Sequence, residues 1–419
     1  MAEPLYRDPI DFDEVQMAVI NDGFRENKNC VVMGCAGSGK SCIAMNIFID
    51  LCARGGRKPV IITKQRSLVN TYLDELISLV GDDARNYISD AHSIRRYRGD
   101  GPYNLRWFAY NRAVNTFERG IKTGWRGNGD EEYSVYPDAT DLIVDEAQDF
   151  TQIEMNEILG HFNQLQSVHF FGDDNQQIYE GAFSQAAQLT MAQLVQYASR
   201  YGTGEVYEET LENNYRLPNP IARFVDAVEG PETMLGEQCF GRRTDMPCLL
   251  RFESDEDALA VVRGLVRRHK AQTQNYRAAV ICYTCEKCDS AYRRLSELHE
   301  ADTDIILAQM RGALDDGNCD YQDERGPKTI DGEIIGSVNE IITTAFSSKG
   351  LQYDDVFVFV DDFVREGGRS ASTWPRSLLN VLHVALTRTQ GGLFVCYRGE
   401  AAFRPFSDVP ENCYTTTLL

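Results

Sequence analysis

Residues 34–41 have the types and the spacing that can hold phosphate groups. They read GCAGSGKS, which fits the pattern G-x-x-x-x-G-K-[ST]. Glycines let backbone N–H groups wrap around phosphate oxygens, the lysine ammonium reaches the β- and γ-phosphates, and the serine hydroxyl can bind Mg²⁺. The predicted phosphate and metal contacts are Gly34, Gly37, Ser38, Gly39, Lys40 and Ser41. The pattern therefore predicts ATP and Mg²⁺ as cofactors.

The elements on either side of this loop decide between a phosphate site and a glycine-rich turn that fits by chance. The apolar run over 30–34 predicts a strand directly before the loop, and 40–53 predicts a helix directly after it. A helix that begins at the loop adds the positive end of its dipole to the phosphate-facing N–H groups. This context favours the phosphate loop.

An acidic pair, Asp145 and Glu146, follows the apolar run that begins at Leu142. Carboxylates at the end of a strand lie at the sheet edge where α/β proteins place their ligands. Asp145 is therefore predicted to bind Mg²⁺ together with Ser41, and Glu146 to orient or deprotonate the attacking water. Alone, such a pair is more often a solvated turn, and it is the phosphate loop that favours the catalytic interpretation.

Short apolar runs alternate with helical stretches, which predicts parallel sheets covered by helices on both faces. The predicted strands span residues 30–34, 60–63, 142–146, 168–173, 278–283, 341–344, 356–360 and 393–397, and the predicted helices span 40–53, 68–80, 254–270, 289–299 and 378–387. We predict an α/β fold with two domains, 1–210 and 211–419. The first contains a short basic and aromatic insertion over 93–140, and the second a surface loop over 311–335.

Composition excludes some classes of protein. No apolar run reaches the ~18–20 residues that a membrane span needs, and the first residues lack the basic and apolar regions of a signal peptide. The 12 cysteines are scattered, and several lie in predicted core elements. This pattern predicts reduced thiols, a cytoplasmic location and no membrane partner.

Eight further motifs lie in order along nearly the whole chain, and together with the phosphate loop they carry a family resemblance. DEAQD at 145–149 has the form DExQD. The others are Gln16, the segments 63–68 and 91–93, GDDNQQIY at 172–179, LENNYR at 211–216, TAFSSKGLQY at 344–353 and VALTRT at 384–389. The chain resembles the UvrD/Rep-type superfamily 1 DNA helicases in a minimal form that lacks their large accessory insertions. The resemblance implies two RecA-like parallel-sheet motor domains around a phosphate-binding-loop NTPase core.

The resemblance also implies roles at the nucleotide. Gln16 would read adenine, Tyr215 would stack on it, Gln176 would sense the γ-phosphate, Arg216 would contact phosphate, and Arg388 would act as an arginine finger from the second domain. Gly350 and Gln352 would lie near the nucleotide, although Gln352 replaces the usual ribose-contacting glutamate. The implied catalytic set is Lys40, Glu146, Gln176, Arg216 and Arg388.

The predicted nucleic-acid contacts combine matched motifs with a basic stretch over 95–126. That stretch has eight Lys/Arg and seven aromatic residues, whereas 127–199 has no Lys or Arg and thirteen Asp/Glu. The predicted contacts are Thr63, His92, Arg95, Arg96, Trp107, Tyr179 and Thr344. The alternative for the stretch is a small helical hairpin whose aromatics form its core. Charge segregation lets a basic surface exist on a chain of net charge −21.

The motifs depart from the family at the nucleic-acid side, where Phe346 stands in place of a histidine and Gly181 in place of an aromatic residue. Cys42 stands where close relatives carry an arginine. The leading prediction is an ATP-dependent translocase or helicase on single-stranded DNA, with 3′→5′ polarity implied by the resemblance and RNA left open. The alternative is a nucleic-acid-gated ATPase subunit of a repair or defence complex, with a protein partner such as a nuclease.

Cys282, Cys285 and Cys288 have a spacing that suits a metal or iron–sulfur site, with Cys319 as a distant fourth ligand. However, Cys282 lies in the apolar run AAVIC, where it would face the core. Core packing is therefore favoured over a metal site.

Overall fold

The computed structural model describes residues 11–63, 68, 72, 105–107, 139–160, 162, 165–178, 188–229, 235–237, 239–241, 245–274, 276–299, 308–310, 321–322, 329–330, 333–334, 340–367, 374–399, 406 and 409–418. Most of the basic stretch lies outside these ranges. So does the helix predicted over 68–80, apart from Leu68 and Tyr72, which are both helical.

The first sheet has six strands among the described residues, in the order β3-β2-β4-β5-β1-β6, and all its pairings are parallel. The strands are β1 Asn29–Gly34, β2 Pro59–Thr63, β3 Leu105–Trp107, β4 Asp141–Val144, β5 Ser167–Gly172 and β6 Val206–Leu211. Because the strands are parallel, their carboxyl ends meet at one edge. The phosphate loop, the acidic pair and the segment that begins at Asp173 all follow strands at this edge.

Helices cover both faces of the first sheet, which is why its central strands are mostly apolar and almost entirely buried. Val31 packs in one cluster with residues of Gln152–Gly160 and Met191–Tyr201, while its neighbour Val32 packs on the opposite face with residues of Lys40–Ala53. Successive side chains of a strand point to opposite faces, so a doubly covered sheet buries both. The packing on both faces fixes the strand ends that carry the site.

The second sheet has eight strands among the described residues, in the order β12-β11-β15-β10-β16-β17-β9-β18, of which only the β11–β12 pair is antiparallel. The strands are β9 Cys248–Phe252, β10 Ala278–Cys282, β11 Ala308–Met310, β12 Tyr321–Gln322, β15 Glu340–Thr344, β16 Tyr353–Phe359, β17 Thr389–Arg398 and β18 Thr415–Leu418. Two small ladders join β7 Asn214–Pro218 to β8 Cys239–Gly241 and β13 Thr329–Ile330 to β14 Glu333–Ile334.

The helices and helical turns complete both layers. They are Glu14–Ala18, Val19–Phe24, Lys40–Ala53, Ala147–Asp149, Gln152–Gly160, Asp174–Gln176, Met191–Tyr201, Asn219–Glu229, Asp255–Gln272, Cys285–His299, Ala345–Ser348, Asp361–Gly367, Arg376–Leu386 and Glu411–Cys413. Ser254 caps the helix that begins at Asp255, as its side chain accepts from the Asp257 N–H. None of the described helices has the length and apolar character that crossing a bilayer requires.

The chain passes from the first sheet to the second between Leu211 and Leu217. Leu211 ends β6 and packs against the first sheet, whereas Leu217 packs with Ile221, Phe224 and Val356 in the core of the second. The domain boundary near residue 210 remains a prediction, but the change of core occurs at this point.

Several elements were not predicted, and two regions show why. β6 has the sequence VYEETL and was not predicted, because it is a partly exposed edge strand with consecutive polar residues. The region 311–335 was predicted as a loop, yet β12, β13 and β14 lie within it. Strands of two residues are too short to produce a periodic sequence pattern.

Candidate nucleotide site

The phosphate loop has the backbone geometry that its glycines are needed for. Gly37 and Gly39 have φ of 80° and 89°, in the left-handed region that side chains disfavour. A Cβ at Gly37 would also lie 2.7 Å from Arg216 Cβ. The Lys40 ammonium donates to the carbonyls of Gly34 and Cys35, at 2.5 and 3.0 Å. The loop therefore forms a cradle whose lysine lies against its own carbonyl oxygens.

Gln16 is buried and braces this loop from outside. Its side-chain amide donates to the Ser38 carbonyl at 2.8 Å, while Gln16 and Asp13 form a reciprocal capping box at the start of Glu14–Ala18. The other carboxylate oxygen of Asp13 accepts from the Tyr215 hydroxyl. The structure thus brings together Gln16 and Tyr215, the two residues predicted to contact adenine.

The predicted metal ligands Ser41 and Asp145 are in contact. The Ser41 hydroxyl donates to Asp145 Oδ2 at 2.7 Å, and Tyr72 donates to the same oxygen at 2.8 Å. Burial, followed by the charge of Glu146, raises the pKa of Asp145 to about 6. A hydroxyl and a carboxylate beside the phosphate loop are oxygen ligands of the kind Mg²⁺ prefers, so the residues present fit the cation.

Glu146 has an unusual backbone conformation next to this pair. Its φ is 54°, which costs a non-glycine residue roughly 1–2 kcal/mol. The Gln148 amide donates to Glu146 Oε2 at 2.6 Å, and Lys349 Nζ lies 3.5 Å from the same oxygen. Although burial alone favours the neutral acid, Lys349 and Lys40 outweigh it and keep the pKa of Glu146 well below its ordinary value. Glu146 is therefore an ionised carboxylate in a strained position, which suits a group that accepts a hydrogen bond from water and orients it.

Gln176 and Arg388 join the site from the two sheets. Gln176 follows β5 and donates to Asp173 Oδ2 at 2.6 Å. Arg388, which follows the helix Arg376–Leu386, places Nη2 3.5 Å from Gln176 Oε1. Its Nε donates to the Val384 carbonyl at 2.8 Å, and it is 1% exposed. Burial, then the charge of Arg216, lowers the pKa of Arg388 to about 9, so the guanidinium remains charged near neutral pH.

The segment that leaves the first sheet lies against the phosphate loop. The Tyr215 N–H donates to the Gly37 carbonyl at 3.0 Å, and the Arg216 side chain lies beside Gly37. Asn214 is fully buried, and its Oδ1 accepts from the backbone N–H groups of Arg216 and Leu217 at 2.9 and 3.0 Å. Arg216 therefore lies where the resemblance requires a phosphate-contacting residue.

Gly350 and Gln352 lie in a turn of the second sheet beside this site. We call each sheet, together with the helices packed on it, a unit. Gly350 has φ of 78°, and a Cβ there would lie 3.2 Å from Leu68 of the first unit. Gln352 Oε1 accepts from the Gln390 amide. No described contact joins Gln352 to the phosphate-loop residues, so its role at the ribose stays a prediction.

Of the predicted nucleic-acid contacts, the structure describes Thr63, Trp107 and Thr344; Thr63 and Trp107 are register partners on β2 and β3, whereas Thr344 lies at the end of β15 in the second sheet. Thr63 and Thr344 are buried, at 1% and 4% exposure. Thr344 caps Ala345–Ser348 by accepting from the Ser347 N–H, which gives it a structural role. Phe346, in the place of the family histidine, packs in the second core. Trp107 ends β3, while His92, Arg95, Arg96 and Tyr179 lie outside the described residues.

Lys349, Tyr72 and Asp149 are site residues that the sequence analysis did not identify. Lys349 belongs to the matched motif TAFSSKGLQY at 344–353, but the motif gave it no role, and only the fold shows that its ammonium donates to Asp149. At the cysteine cluster, Cys282 lies in the core beneath the second sheet. The described residues contain no group of three or more His, Cys, Asp or Glu arranged for a metal ion, and Cys319 lies outside them.

Comparisons with known proteins agree with this geometry. A family profile described as an AAA domain matches residues 16–182, which is less than half of the chain. The solved structure of S. cerevisiae Dbp5 bound to RNA and ADP BeF3 aligns with 97% of this chain and 89% of its own, with a TM-score of 0.50 and 12% identity. The chain thus has an α/β fold with two RecA-like parallel sheets and a phosphate-loop NTPase site.

A second solved structure gives only a weak likeness. The C-terminal domain of a possible DNA helicase from Lactobacillus plantarum aligns over 98% of its length with 48% of this chain, at 14% identity and a TM-score of 0.32. No curated protein matches the chain.

Proposed function

We propose that this chain is an ATP-hydrolysing motor of the UvrD/Rep-like superfamily 1 type that moves along single-stranded DNA in the 3′→5′ direction. The observation that carries the proposal is the composite site, in which Arg388 of the second unit lies 3.5 Å from Gln176 of the first. A site divided between two units ties hydrolysis to their relative motion. A phosphate-loop kinase or GTPase would not need these groups in a second sheet.

The proposed roles follow from the geometry of the nucleotide site. Bound ATP and Mg²⁺ supply the phosphoanhydride and the cation. The phosphate loop and Lys40 would orient the phosphates, Ser41 and Asp145 would hold the cation, and Glu146 would orient or deprotonate water. Arg388 stabilises the charge that develops on the transferred phosphoryl group. We further propose residues 1–210 and 211–419 as the two motor domains.

The choice of nucleic acid rests on weaker support. The basic and aromatic residues of 95–126 suit single strands, since cations pair with phosphates and rings stack on bases. Dbp5 in the solved neighbour is bound to RNA, so RNA is the alternative strand. The scattered positions of the 12 cysteines along the sequence support a reducing cytoplasmic compartment.

The net charge of −21 favours a second candidate function. Such a charge opposes tight binding to a polyanion outside the local basic stretch. The alternative is therefore a nucleic-acid-gated ATPase subunit that needs a protein partner, for instance a nuclease, in a repair or defence complex.

The deciding experiment measures ATP turnover with and without single-stranded DNA or RNA, beside displacement of a strand from duplexes with 3′ or 5′ overhangs. Lys40→Ala should abolish turnover in a folded protein, while Lys28→Ala should not; Lys28 is a half-buried control whose ammonium donates to the Asp22 carbonyl at 2.9 Å and lies 5.7 Å from the centroid of the Tyr207 ring. Stimulation with displacement from a 3′ overhang supports the motor, and stimulation alone supports the gated ATPase. A folded wild-type chain without turnover contradicts both.

A further inference from the structure

Lys349 carries a positive charge from the second unit into the catalytic groups of the first. Its side chain is 0% exposed. Its ammonium donates to Asp149 Oδ1 and to the Gln176 carbonyl oxygen, the latter at 2.6 Å, and lies 3.5 Å from Glu146 Oε2. An ammonium has three N–H donors, and the three contacts point to three different groups.

A charge buried to this degree must be compensated by its partners. Asp149 is also 0% exposed, so neither group of this pair is solvated by water. Lys349 binds Asp149 through one contact, while the other two reach Glu146, the proposed base, and Gln176, the predicted γ-phosphate sensor. The ion pair is therefore connected to the reacting groups, and not only to the scaffold.

The backbone around Lys349 is held firmly enough to transmit position. Thr344 caps the preceding turn, the Leu351 N–H donates to the Ser348 carbonyl at 3.0 Å, and Gly350 adopts the left-handed φ that reverses the chain. The ammonium therefore moves with the second sheet. When the two units separate, Glu146 and Gln176 lose this contact together.

We propose that Lys349 is a positioning residue that holds Glu146 and Gln176 in their reactive arrangement only while the two units are closed. This inference rests on the proposed function and deepens it, since it names the contact that couples closure to hydrolysis. In the open arrangement, water would solvate the separated charges, and nucleotide could bind without being hydrolysed. Arg388 contributes transition-state charge at the same junction, whereas Lys349 acts through the carboxylate and the backbone that it binds.

The test compares Lys349→Met with Lys287→Met. Lys287 is a matched control in the second unit, because it pairs with Asp255 at 2.8 Å and takes no part in the site. Lys349→Met should lower kcat by ~10² or more while the Kd for ATP changes less than about threefold, as expected for a group that orients a base. Lys287→Met should change neither. Lys349→Arg should restore part of kcat.

The double variant Lys349→Met/Asp149→Asn distinguishes a positioning residue from a purely structural ion pair. Asp149→Asn removes the carboxylate that Lys349→Met leaves uncompensated, so thermal stability should recover in either case. If Lys349 is a positioning residue, kcat should stay low. Recovery of both, or equal losses of kcat and ATP affinity in Lys349→Met, would overturn the inference. If Lys349→Met does not fold, the double variant alone decides. Loss of turnover in Lys40→Ala together with normal kcat in Lys349→Met would refute this inference and leave the proposed function intact.

Discussion

Replacing Arg388 should separate nucleotide binding from hydrolysis. A finger acts mainly in the transition state, so Arg388→Met should lower kcat by ~10³ to 10⁵, about 4–7 kcal/mol of barrier, with little change in ATP affinity. The guanidinium is 1% exposed and reaches Gln176 at 3.5 Å, so solvent does not weaken its field at the site.

The stability cost of the same change should be much smaller than its effect on rate. Arg388 Nη2 donates to Thr387 Oγ1 at 2.9 Å and its Nε to the Val384 carbonyl at 2.8 Å, while the single Thr387 hydroxyl proton has the His383 carbonyl as its nearer acceptor, at 2.8 Å. Arg388→Met therefore removes both hydrogen bonds of the guanidinium. Two hydrogen bonds at ~0.5–1.5 kcal/mol each, offset by removal of a buried charge, predict a loss of about 1–2 kcal/mol.

The assay combines steady-state turnover with equilibrium titration of a non-hydrolysable ATP analogue and thermal unfolding. Arg251→Met is a suitable control, because Arg251 lies on β9 and its ion pair with Glu253, at 4.0 Å, is remote from the site. Equal losses of affinity and rate in Arg388→Met would show a ground-state ligand. A rate loss matched by an equally large loss of stability would show a structural residue.

Three other predictions concern the loop, the metal carboxylate and the basic stretch. Gly37→Ala should reduce ATP affinity at least ~10-fold, because the new Cβ is strained at this φ and would lie 2.7 Å from Arg216 Cβ. Gly56→Ala, at the same φ of 80° but in open space, should leave ATP affinity unchanged. Equal ATP titration curves for the two variants would refute this prediction. The acid limb of kcat/KM should lie near pH 6, because Asp145 must lose its proton to bind Mg²⁺. The raised pKa of Asp145 also contributes to the stability of the folded state at acid pH, and this contribution is lost as the pH rises through about 6. Raising Mg²⁺ should move that limb to lower pH, and an unmoved limb would point to another group. Arg95→Glu/Arg96→Glu should abolish DNA-stimulated turnover but spare basal turnover, and stimulation that survives both changes would exclude that surface.

The sequence predicted the strands that are mostly apolar and missed those whose pattern is polar or short. β1, β4 and β5 are mostly apolar runs next to recognisable loops, so their place in the chain could be predicted. β6 is buried only at Leu211 and is otherwise partly or fully exposed at an edge, and this pattern gave no signal beside the LENNYR motif.

The structure brings several of the predicted site residues together, while their roles stay predictions. The phosphate loop, Ser41 and Asp145 are brought together as expected, because one sheet edge collects them. Lys349 could not be assigned, since its partners are distant in sequence and meet only after both sheets pack. Thr344 matched a nucleic-acid motif, yet its hydroxyl caps a helix, which is a role that sequence similarity does not distinguish.

The left-handed backbone of Glu146 has a consequence for attempts to engineer this protein. Among the described residues only Asn27 and Glu146 have positive φ without being glycine, and asparagine tolerates that conformation far better than glutamate. Glu146 also adds repulsion to buried Asp145. Glu146→Gly and Glu146→Asn would relieve both costs, but they would also remove the attraction of Lys349 and Lys40 that lowers the pKa of Glu146. The strained backbone is therefore retained by charge, and a variant that escapes the strain would also lose the carboxylate that handles water.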